Sequence, residues 1–260
     1  MNVLITAGGT DEKIDRVRSI TNMSTGRLSC VIAETFAALD ETERIFYVCG
    51  GRAVRPQSEK AEILPVSGAS DLAETVTELC RSRRIDAAVH AMAVSDYSVR
   101  MVSSCDAIAE SVLSRFGAQT GPYPAAAGGG ADLRTALSDA LARAEGFPRD
   151  GKIPSDVDDL VIFLQRTPKV ISMFRGLLPR AVIVGFKLLD GVTEAHLIET
   201  ACALLRRNDC DFVLANDLRT IGDDKHVGHL VGRDGAYTTY TSKETIARGI
   251  AEAVVHGRRA

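Results

Sequence analysis

The first chemically useful residues form a glycine turn followed by a cluster of polar donors. Gly8 and Gly9 come directly after the apolar segment NVLIT, and residues 15–27 (DRVRSITNMSTGR) contain hydroxyl, amide and guanidinium groups. Backbone N–H groups at such a turn and at a helix N-terminus bind anions, and guanidinium groups pair with phosphate oxygens. We therefore expect this region, including Ser24 and Gly26 ahead of a helix, to hold a phosphate.

The same residues also have a purely structural interpretation. Ser24 would then be only the N-cap of a helix that continues through residues 27–39, with Arg27 in solvent. Asn22, in contrast, is a neutral donor, which suits an oxygen atom on which negative charge develops during a reaction. Arg18 and Arg27 are the nearby cations that would bind a phosphate. Anion binding and helix capping both remain open at this point.

Further polar and aromatic residues follow the ends of later apolar segments. Asp96 comes after a buried strand predicted over residues 86–93, where it would contact a ligand or metal, or cap a helix. Phe186 ends the segment AVIVGF, and an exposed ring there could pack against a nucleobase. Lys152 lies in the constrained turn GKIPS, and such a lysine either meets a ligand or is a solvated surface charge.

A proline indicates another helix start that is suited to anions. In the segment TPK, Thr167 is predicted to cap a helix with Pro168 at its first position. The free N–H groups of that first turn would again face a negatively charged ligand. Lys169 adds a positive charge at the same end.

Motifs for several other chemistries are missing from the sequence. It has no GxGxxG or GxxxxGK[ST] loop, no HExxH zinc motif and no GxSxG nucleophile elbow. The six cysteines form no CxxC pair, and His226 and His229 form an isolated HxxH, so these residues are not expected to hold a metal. The remaining chemistry places substrates and neutralises charge, as in phosphoryl or nucleotidyl transfer.

Alternating apolar and amphipathic segments predict the scaffold that positions these groups. Wholly apolar strands separated by helices indicate a parallel sheet covered on both faces. The predicted fold is α/β: a Rossmann-like, doubly wound, mostly parallel sheet in a single domain over residues 1–260. The predicted strands are residues 2–6, 44–48, 62–66, 86–93, 181–186 and 211–215.

Two regions depart from this alternation. Asp234 and Gly235 lie between two short segments, which predicts a C-terminal β-hairpin, and a last helix is expected from Ser242. The stretch from about 98 to 151 is rich in Gly, Pro and Ala. We expect this stretch to be a long mobile flap over the ligand, with a short helix at residues 131–144.

Composition and charge narrow the classes of function. The 260 residues include 31 Lys and Arg against 34 Asp and Glu, a formal net charge of −3, so binding to a nucleic acid polymer is not expected. No apolar run approaches the roughly 20 residues of a membrane span, and the N-terminus lacks the basic start of a signal peptide. We expect a cytoplasmic protein without a membrane partner.

Taken in order, five sequence blocks resemble phosphopantothenate–cysteine ligase, an enzyme family of coenzyme A synthesis. They are ITAGGTDEKIDRVRSITNMSTGR, HAMAVSDY, GKIPSDVDDLVIFLQRTPKVI, GFKLLDGVTEAHL and CDFVLAND. The resemblance is strongest to the free-standing bacterial form, without a flavin decarboxylase domain ahead of it. It implies that the carboxylate of 4′-phosphopantothenate attacks the α-phosphate of CTP or ATP and releases pyrophosphate. The amine of L-cysteine then displaces CMP or AMP.

The resemblance also implies roles for particular residues. Lys152 corresponds to the lysine needed to form the acyl-nucleotidylate, and Asn22 to the asparagine tied to that intermediate and its conversion. Arg18 corresponds to an arginine of the same motif. The triphosphate would bring Mg²⁺, and the family implies a homodimer. The positions that correspond to the nucleotide site are Ala93, Asp96, Pro168, Lys169, Val170, Ile171 and Phe186.

One departure from the family pattern concerns the nucleotide. Fused bacterial members have two lysines on the helix before the AND motif, where this sequence has Leu204 and Asn208, so CTP and ATP both remain open. Two alternative functions are a regulatory nucleotide-binding protein without ligase activity and an NAD(P)-dependent reductase. The presence of Lys152 and Asn22 argues against the first, and the missing GxGxxG loop argues against the second.

Overall fold

Strands and helices alternate along most of the chain. The computed structural model describes residues 1–116, 129–222 and 225–257. The strands are β1 (Asn2–Ala7), β2 (Asp11–Lys13), β3 (Ser19–Thr21), β4 (Arg44–Gly50), β5 (Ala61–Val66), β6 (Ala87–His90), β7 (Tyr97–Ser104), β8 (Leu160–Arg166), β9 (Val182–Leu189), β10 (Phe212–Asp217), β11 (Gly228–Gly232) and β12 (Tyr237–Tyr240). The helices are α1 (Arg27–Ala37), α2 (Ala69–Ser82), α3 (Cys105–Phe116), α4 (Gly129–Arg143), α5 (Phe174–Leu177), α6 (Glu194–Asn208) and α7 (Lys243–Gly257). No helix in these ranges is long and apolar enough to cross a membrane.

Eight of the strands form one sheet, in the order β5-β4-β1-β6-β9-β10-β11-β12. The first six strands run parallel to one another, whereas β11 pairs antiparallel with both β10 and β12. Numbered along the chain, the parallel strands follow the order 3-2-1-4-5-6 of a doubly wound, Rossmann-like sheet. The predicted fold class is therefore confirmed.

The centre of this sheet is buried on both faces because its strands are apolar. Leu4 of β1 belongs to an apolar cluster with α2 and α6, whereas Val3 and Ile5 belong to a cluster with α1 and α7. Successive side chains of a strand point to opposite faces, so this alternation shows one helix layer on each side of the sheet. Val3, Leu4 and Ile5 have no exposed surface, which explains why the strand reads as one continuous apolar run.

The chain divides into two compact units. The first unit consists of Met1–Asp11, Thr21–Asp96 and Thr167–Ala260, and the second consists of Glu12–Ile20 and Tyr97–Arg166. The first unit contains the eight-stranded sheet. In the second unit β7 and β8 form an antiparallel ladder over a small core of Val99, Val102 and Ile153. A single synthetase domain over residues 1–260 stays a prediction.

The region expected to be a flap has secondary structure of its own. Between residues 98 and 151 the chain forms most of β7 and then α3 and α4, while residues 117–128 lie outside the described residues. The helix predicted at residues 131–144 is α4, and the Ser111 hydroxyl of α3 donates to the Ala140 carbonyl at 2.8 Å. Alanine and leucine favour helix formation, which outweighs the neighbouring glycines in these segments.

The predicted C-terminal hairpin is present. β11 and β12 pair antiparallel, and Gly235 in the turn between them has φ +81°. The last helix, expected from Ser242, is α7, and Ser242 Oγ caps it by accepting a hydrogen bond from Thr245 N at 3.2 Å.

Candidate active site

The carboxyl ends of β1 and β6 lie side by side where the strand order reverses. β1 pairs with β4 on one side and with β6 on the other, and ligands of such sheets bind in the crevice beyond these strand ends. Gly8 follows β1 with φ +78°, a left-handed conformation that favours glycine. Ala93 N donates to Gly8 O at 2.8 Å, and Thr10 N donates to Ala93 O at 3.2 Å. The structure thus joins the predicted positions Gly8 and Ala93.

Gly9 allows three backbone segments to pack against one another at this edge. A β-carbon on Gly9 would stand 2.2 Å from Asn22 O, and one on Gly50 would stand 2.2 Å from Gly9 O. Any side chain at either position would overlap its neighbour, so the packing requires glycine at both. This close approach places Asn22 beside the glycine turn.

The amide of Asn22 is oriented by its neighbours. Its Oδ1 accepts a hydrogen bond from the Ser95 hydroxyl at 3.3 Å, and Ser95 N in turn donates to Thr10 Oγ1 at 2.9 Å. The Asn22 backbone N–H donates to Thr10 O at 3.4 Å. No described residue accepts a hydrogen bond from Asn22 Nδ2. Since the oxygen end of the amide faces Ser95, its NH₂ end is a donor for a ligand.

A cavity of about 310 Å³ lies beside this amide, and Gly9, Asn22, Ser24 and Arg52 contribute to its wall. Arg52 follows the carboxyl end of β4, and its guanidinium pairs with Asp11 at 2.6 Å. No sequence motif predicts Arg52 as a site residue. Its position directly after an apolar strand was the available signal, because residues at that edge converge on one crevice.

The helix that begins beside this cavity is not capped by Ser24. Its N-cap is Gly26, with φ +70°, and a β-carbon there would stand 3.0 Å from Gly8 N. The prediction of Ser24 as N-cap was wrong because this close contact requires glycine at the cap; Ser24 N instead donates to Asn22 O at 2.9 Å. Gly26 has no side chain to cap α1, and the Thr25 hydroxyl receives only a long contact of 3.5 Å from Arg27 N. The N-terminus of α1 is therefore available to an anion.

A second cavity, of about 230 Å³, contains the predicted nucleotide positions that follow β6 and β8. Asp96 and Lys169 form an ion pair at its edge, and both side chains are largely exposed. Lys187, which was not among the predicted site residues, adds a second cation. The predicted positions that line the cavity are Asp96, Pro168, Lys169, Val170, Ile171 and Phe186. The structure therefore brings these six residues together.

Thr167 was predicted to cap a helix, but in the structure it binds the segment that follows β6. Its hydroxyl donates to Ser95 O at 2.6 Å and its backbone N–H donates to Asp96 O at 3.1 Å. The next element is the 3₁₀ turn Val170–Met173, so Pro168 is not the first residue of a helix. The prediction of a Thr167 cap was wrong, because this turn begins later with Lys169 at its N-cap, and the Thr167 hydroxyl binds Ser95 O instead. This bond ties the segment after β8 to the segment after β6.

Phe186 borders both this cavity and a larger one of about 450 Å³. The ring lies in β9, half-buried, and its inner part packs against the apolar side chains between the sheet and α7. Gly26 and Lys243 also line the larger cavity, so a cation and the N-terminus of α1 lie around the same space as the ring. An aromatic face beside anion-binding groups suits a base attached to phosphates.

His226 and His229 do not act as one HxxH motif. His226 Nε2 lies 3.1 Å from Asn216 Nδ2, whereas His229 Nδ1 lies 2.9 Å from Thr239 Oγ1. Burial, together with the positive charge of Lys243, lowers the pKa of His226 to about 4, so the ring is neutral near pH 7. In the part of the chain that the structure describes, no group of three His, Cys, Asp or Glu residues could hold a metal ion.

The helix before the AND motif presents no lysine at the two positions of the family pattern. Leu204 lines the 230 Å³ cavity, and the buried Asn208 donates from Nδ2 to Leu204 O at 2.9 Å. The amide of Asn208 is thus used within α6. The positive charge at this cavity comes from Lys169 and Lys187.

In the second unit, the Lys152 side chain is exposed, whereas the Arg18 side chain forms an ion pair and a hydrogen bond. The Arg18 guanidinium pairs with Asp15 at 2.6 Å and donates to Ile153 O at 3.0 Å. This guanidinium and three backbone N–H groups outweigh the effect of burial and hold the pKa of Asp15 well below its usual range. The predicted catalytic roles of Lys152, Arg18 and Asn22 stay predictions.

The strand order, the glycine turn and the uncapped α1 define a Rossmann-like α/β domain whose switch point is suited to an anionic ligand. The profile of the DNA/pantothenate metabolism flavoprotein C-terminal domain matches residues 1–107 and 143–257. The chain belongs to this family. The resemblance to phosphopantothenate–cysteine ligases that the five sequence blocks indicate is thereby confirmed.

Known proteins resemble the chain over most of its length. It is 31% identical to the DNA/pantothenate metabolism flavoprotein from Streptococcus pneumoniae, whose crystal structure matches with a TM-score of 0.77 over 98% of this chain and 99% of that chain. It is 28% identical to the coenzyme A biosynthesis bifunctional protein CoaBC of Thermococcus kodakarensis, over 90% of this chain and 45% of that protein. The chain spans about half the length of the curated relatives that it matches over most of its own length. A Cab2 mutant in complex with phosphopantothenate-cysteine shares the fold at 18% identity, with a TM-score of 0.64 over 100% of this chain and 89% of that chain.

Proposed function

We propose that this protein is a phosphopantothenate–cysteine ligase. In the first step a carboxylate oxygen of 4′-phosphopantothenate forms a bond to the α-phosphorus of CTP or ATP, and the bond from that phosphorus to the bridging oxygen breaks to release pyrophosphate. In the second step the amine of L-cysteine forms a bond to the acyl carbon. The acyl–oxygen bond breaks, CMP or AMP leaves, and the amine loses a proton.

The observation that supports this proposal best is the arrangement around Asn22. Its Nδ2 is an oriented donor, because Ser95 takes the other end of the amide, and the uncapped N-terminus of α1 lies beside it. A neutral donor next to an anion-binding helix end suits a phosphorylated acyl group on which oxygen charge changes during the reaction. The ligand named for the Cab2 complex agrees with such a substrate.

We assign the nucleotide to the cavities of about 310 Å³ and about 230 Å³. Gly8, Gly9 and the N-terminus of α1 would bind the triphosphate through backbone N–H groups, with Ser24 adding a hydroxyl. The base would lie against Phe186, and Asp96 and residues 168–171 would border it. Lys152 supports formation of the acyl-nucleotidylate by neutralising charge on the transferred phosphate.

The choice between CTP and ATP depends on contacts other than two helix lysines, because Leu204 and Asn208 stand there. Mg²⁺ would come with the triphosphate, since this ion is commonly bound through substrate phosphates and few protein ligands. Among the described residues no group of three His, Cys, Asp or Glu could hold a metal ion by itself, so the substrate phosphates would supply most of the Mg²⁺ ligands. We further propose a homodimer that works in the cytoplasm, without a nucleic acid or membrane partner.

One assay tests the reaction. Purified protein is incubated with 4′-phosphopantothenate, L-cysteine, MgCl₂ and either CTP or ATP, and pyrophosphate and the amide product are measured. We expect pyrophosphate release that requires phosphopantothenate, and product only when cysteine is added. A protein that binds nucleotide but releases no pyrophosphate with either triphosphate would be a binding or regulatory protein, and the ligase proposal would fail.

A further inference from the structure

The backbone on both sides of Lys152 is fixed by one loop of the second unit. Ile153 N donates to Asp15 Oδ2 at 3.1 Å, and Arg18 Nη2 donates to Ile153 O at 3.0 Å. On the other side of Lys152, the carbonyl of Gly151 accepts a hydrogen bond from the backbone N–H of residue 16 at 3.1 Å. Three hydrogen bonds from residues 15–18 therefore hold the residues that flank Lys152.

Asp15 is the centre of this loop, and both of its oxygens are used. Oδ1 accepts from Val17 N at 2.8 Å and from Arg18 N at 2.7 Å. Oδ2 accepts from Arg18 Nε at 2.9 Å, from Arg18 Nη2 at 2.6 Å and from Ile153 N at 3.1 Å. The Asp15 side chain has no exposed surface. Five N–H donors around one buried group require two acceptor oxygens, which an ionised carboxylate supplies.

Lys152 itself is free at its charged end. The residue is exposed, and its ammonium forms no hydrogen bond or ion pair with any residue in the described ranges. Its neighbour Ile153 has only 1% of its surface exposed and packs with Val99 and Val102. The backbone is thus anchored by polar contacts and by a buried side chain, while the ammonium points to solvent.

We propose that Asp15 is a positioning residue for Lys152: together with Arg18 it fixes the backbone that carries the Lys152 ammonium. This inference rests on the proposed function, since it concerns the part that Lys152 plays there. A lysine has a flexible four-carbon stem, so its ammonium is placed accurately only if its backbone is fixed. A misplacement of about 1 Å costs on the order of 100-fold in rate.

The direct test replaces Asp15 by Asn. Asparagine has one acceptor oxygen, so in either orientation its NH₂ group faces N–H donors, and one side of the loop loses its partner. Hydrogen exchange of the Ile153 amide in the full chain should become at least about 10-fold faster. The kcat of pyrophosphate release should fall about 10- to 100-fold, while the KM for the nucleotide changes less than about threefold.

Two controls separate positioning from loss of folding. Lys152→Gln should stop pyrophosphate release and leave the exchange of the Ile153 amide as in the wild type. Asp211→Asn is the matched carboxylate control in the first unit, because Asp211 also accepts from a backbone N–H, that of Ile183 at 2.8 Å, and from Arg175 at 2.7 Å. This variant should unfold at a lower temperature, yet keep both the exchange of the Ile153 amide and the kcat.

Arg18→Lys keeps the test decisive if Asp15→Asn does not fold. A lysine cannot reproduce the two guanidinium bonds to Asp15 and the bond to Ile153 O. The exchange rate of the Ile153 amide should therefore lie between that of the wild type and that of an unprotected amide, and the kcat of pyrophosphate release should lie between the wild-type value and zero. Faster exchange at Ile153 with an unchanged kcat, in either variant, would overturn the positioning role alone. A wild-type protein without pyrophosphate release would instead overturn the proposed function.

Discussion

The carbonyl oxygen of Asn22 lies so close to Gly9 that a β-carbon on Gly9 would stand 2.2 Å from it. Gly9 is the second residue after β1, and β1 lies between β4 and β6 in the sheet. The backbone position of Asn22 is therefore set by the buried centre of the sheet, while Ser95 sets the direction of its amide. An amide on an irregular loop is in this way held in place by contacts with the core.

Replacing Gly9 by Ala should displace the Asn22 segment. The new methyl group would overlap a backbone carbonyl, which cannot move aside as a flexible side chain can, so we expect a loss of about 1–3 kcal/mol in the free energy of unfolding. Formation of the amide product should fall at least about 100-fold, because the Asn22 amide moves with the backbone. Urea unfolding and the ligase assay measure the two effects.

Gly51 provides the matched control, because a β-carbon there meets nothing within 4 Å. Gly51→Ala should leave both the unfolding free energy and the reaction rate within a small factor of the wild type. Equal activity of the two alanine variants would show that the contact between Gly9 and Asn22 does not position the amide.

The Asn22 amide and the Lys152 ammonium should act in different steps. Lys152→Gln removes the cation and should stop pyrophosphate release. Asn22→Asp replaces the NH₂ donor by a charged acceptor, which repels developing negative charge, so product formation should fall about 100-fold while pyrophosphate release continues. Pyrophosphate and amide product are measured in the same reaction. If Asn22→Asp abolished both equally, this division of roles would be wrong.

The ring of Phe186 should contribute to nucleotide affinity. Phe186→Leu keeps an apolar side chain in the half-buried position but removes the aromatic face, whose contact with another ring is worth about 0.5–1.5 kcal/mol. The KM for the nucleotide should therefore rise about threefold to tenfold, with a smaller change in kcat. Tyr237→Leu, which removes an exposed ring from the hairpin strand β12, serves as the control and should leave that KM unchanged.

Much of this fold follows from the sequence because apolar periodicity reports burial directly. The continuous apolar run around Leu4 predicts a central parallel strand, and a central strand places its glycine turn at the sheet edge. The helix start near Ser24 could not be assigned correctly, since the deciding contact is between Gly26 and Gly8, which are distant in the chain. Thr167 was misassigned for a similar reason, because its partner Ser95 lies 72 residues earlier.

Local sequence patterns do not predict several site residues, because these residues are brought together by contacts between distant parts of the chain. Arg52 and Lys187 belong to cavities only because parallel strands end at one edge. That rule was available from the sequence and applies equally to residues that follow β4 and to residues near the carboxyl end of β9. The hydrogen bond between Asp15 and Ile153 joins residues 138 positions apart, so no local spacing in the sequence predicts it.

Two buried histidines should make the protein less stable at acid pH. Burial lowers the pKa of His90 from its usual 6.5 to about 4, and it is also the main cause that lowers the pKa of His226 to about 4. Above pH 6.5 the two imidazole rings are neutral in both the folded and the unfolded protein, so they do not make the free energy of unfolding depend on pH. Below it the unfolded chain binds protons that the folded chain does not, so stability is lost as pH falls from 6.5 towards 4. At pH 5 each ring should cost about 2 kcal/mol relative to pH 7.5.

His90→Asn tests this expectation, because an amide can keep the contact that His90 Nδ1 makes with Thr6 Oγ1 at 2.8 Å. The difference in unfolding free energy between pH 7.5 and pH 5, measured in urea, should shrink by about 2 kcal/mol in this variant. His196→Asn, at an exposed helix position, should leave that difference as in the wild type. An unchanged difference in His90→Asn would mean that the buried ring accepts its proton in the folded state, against the desolvation that its position between β1 and Phe174 imposes.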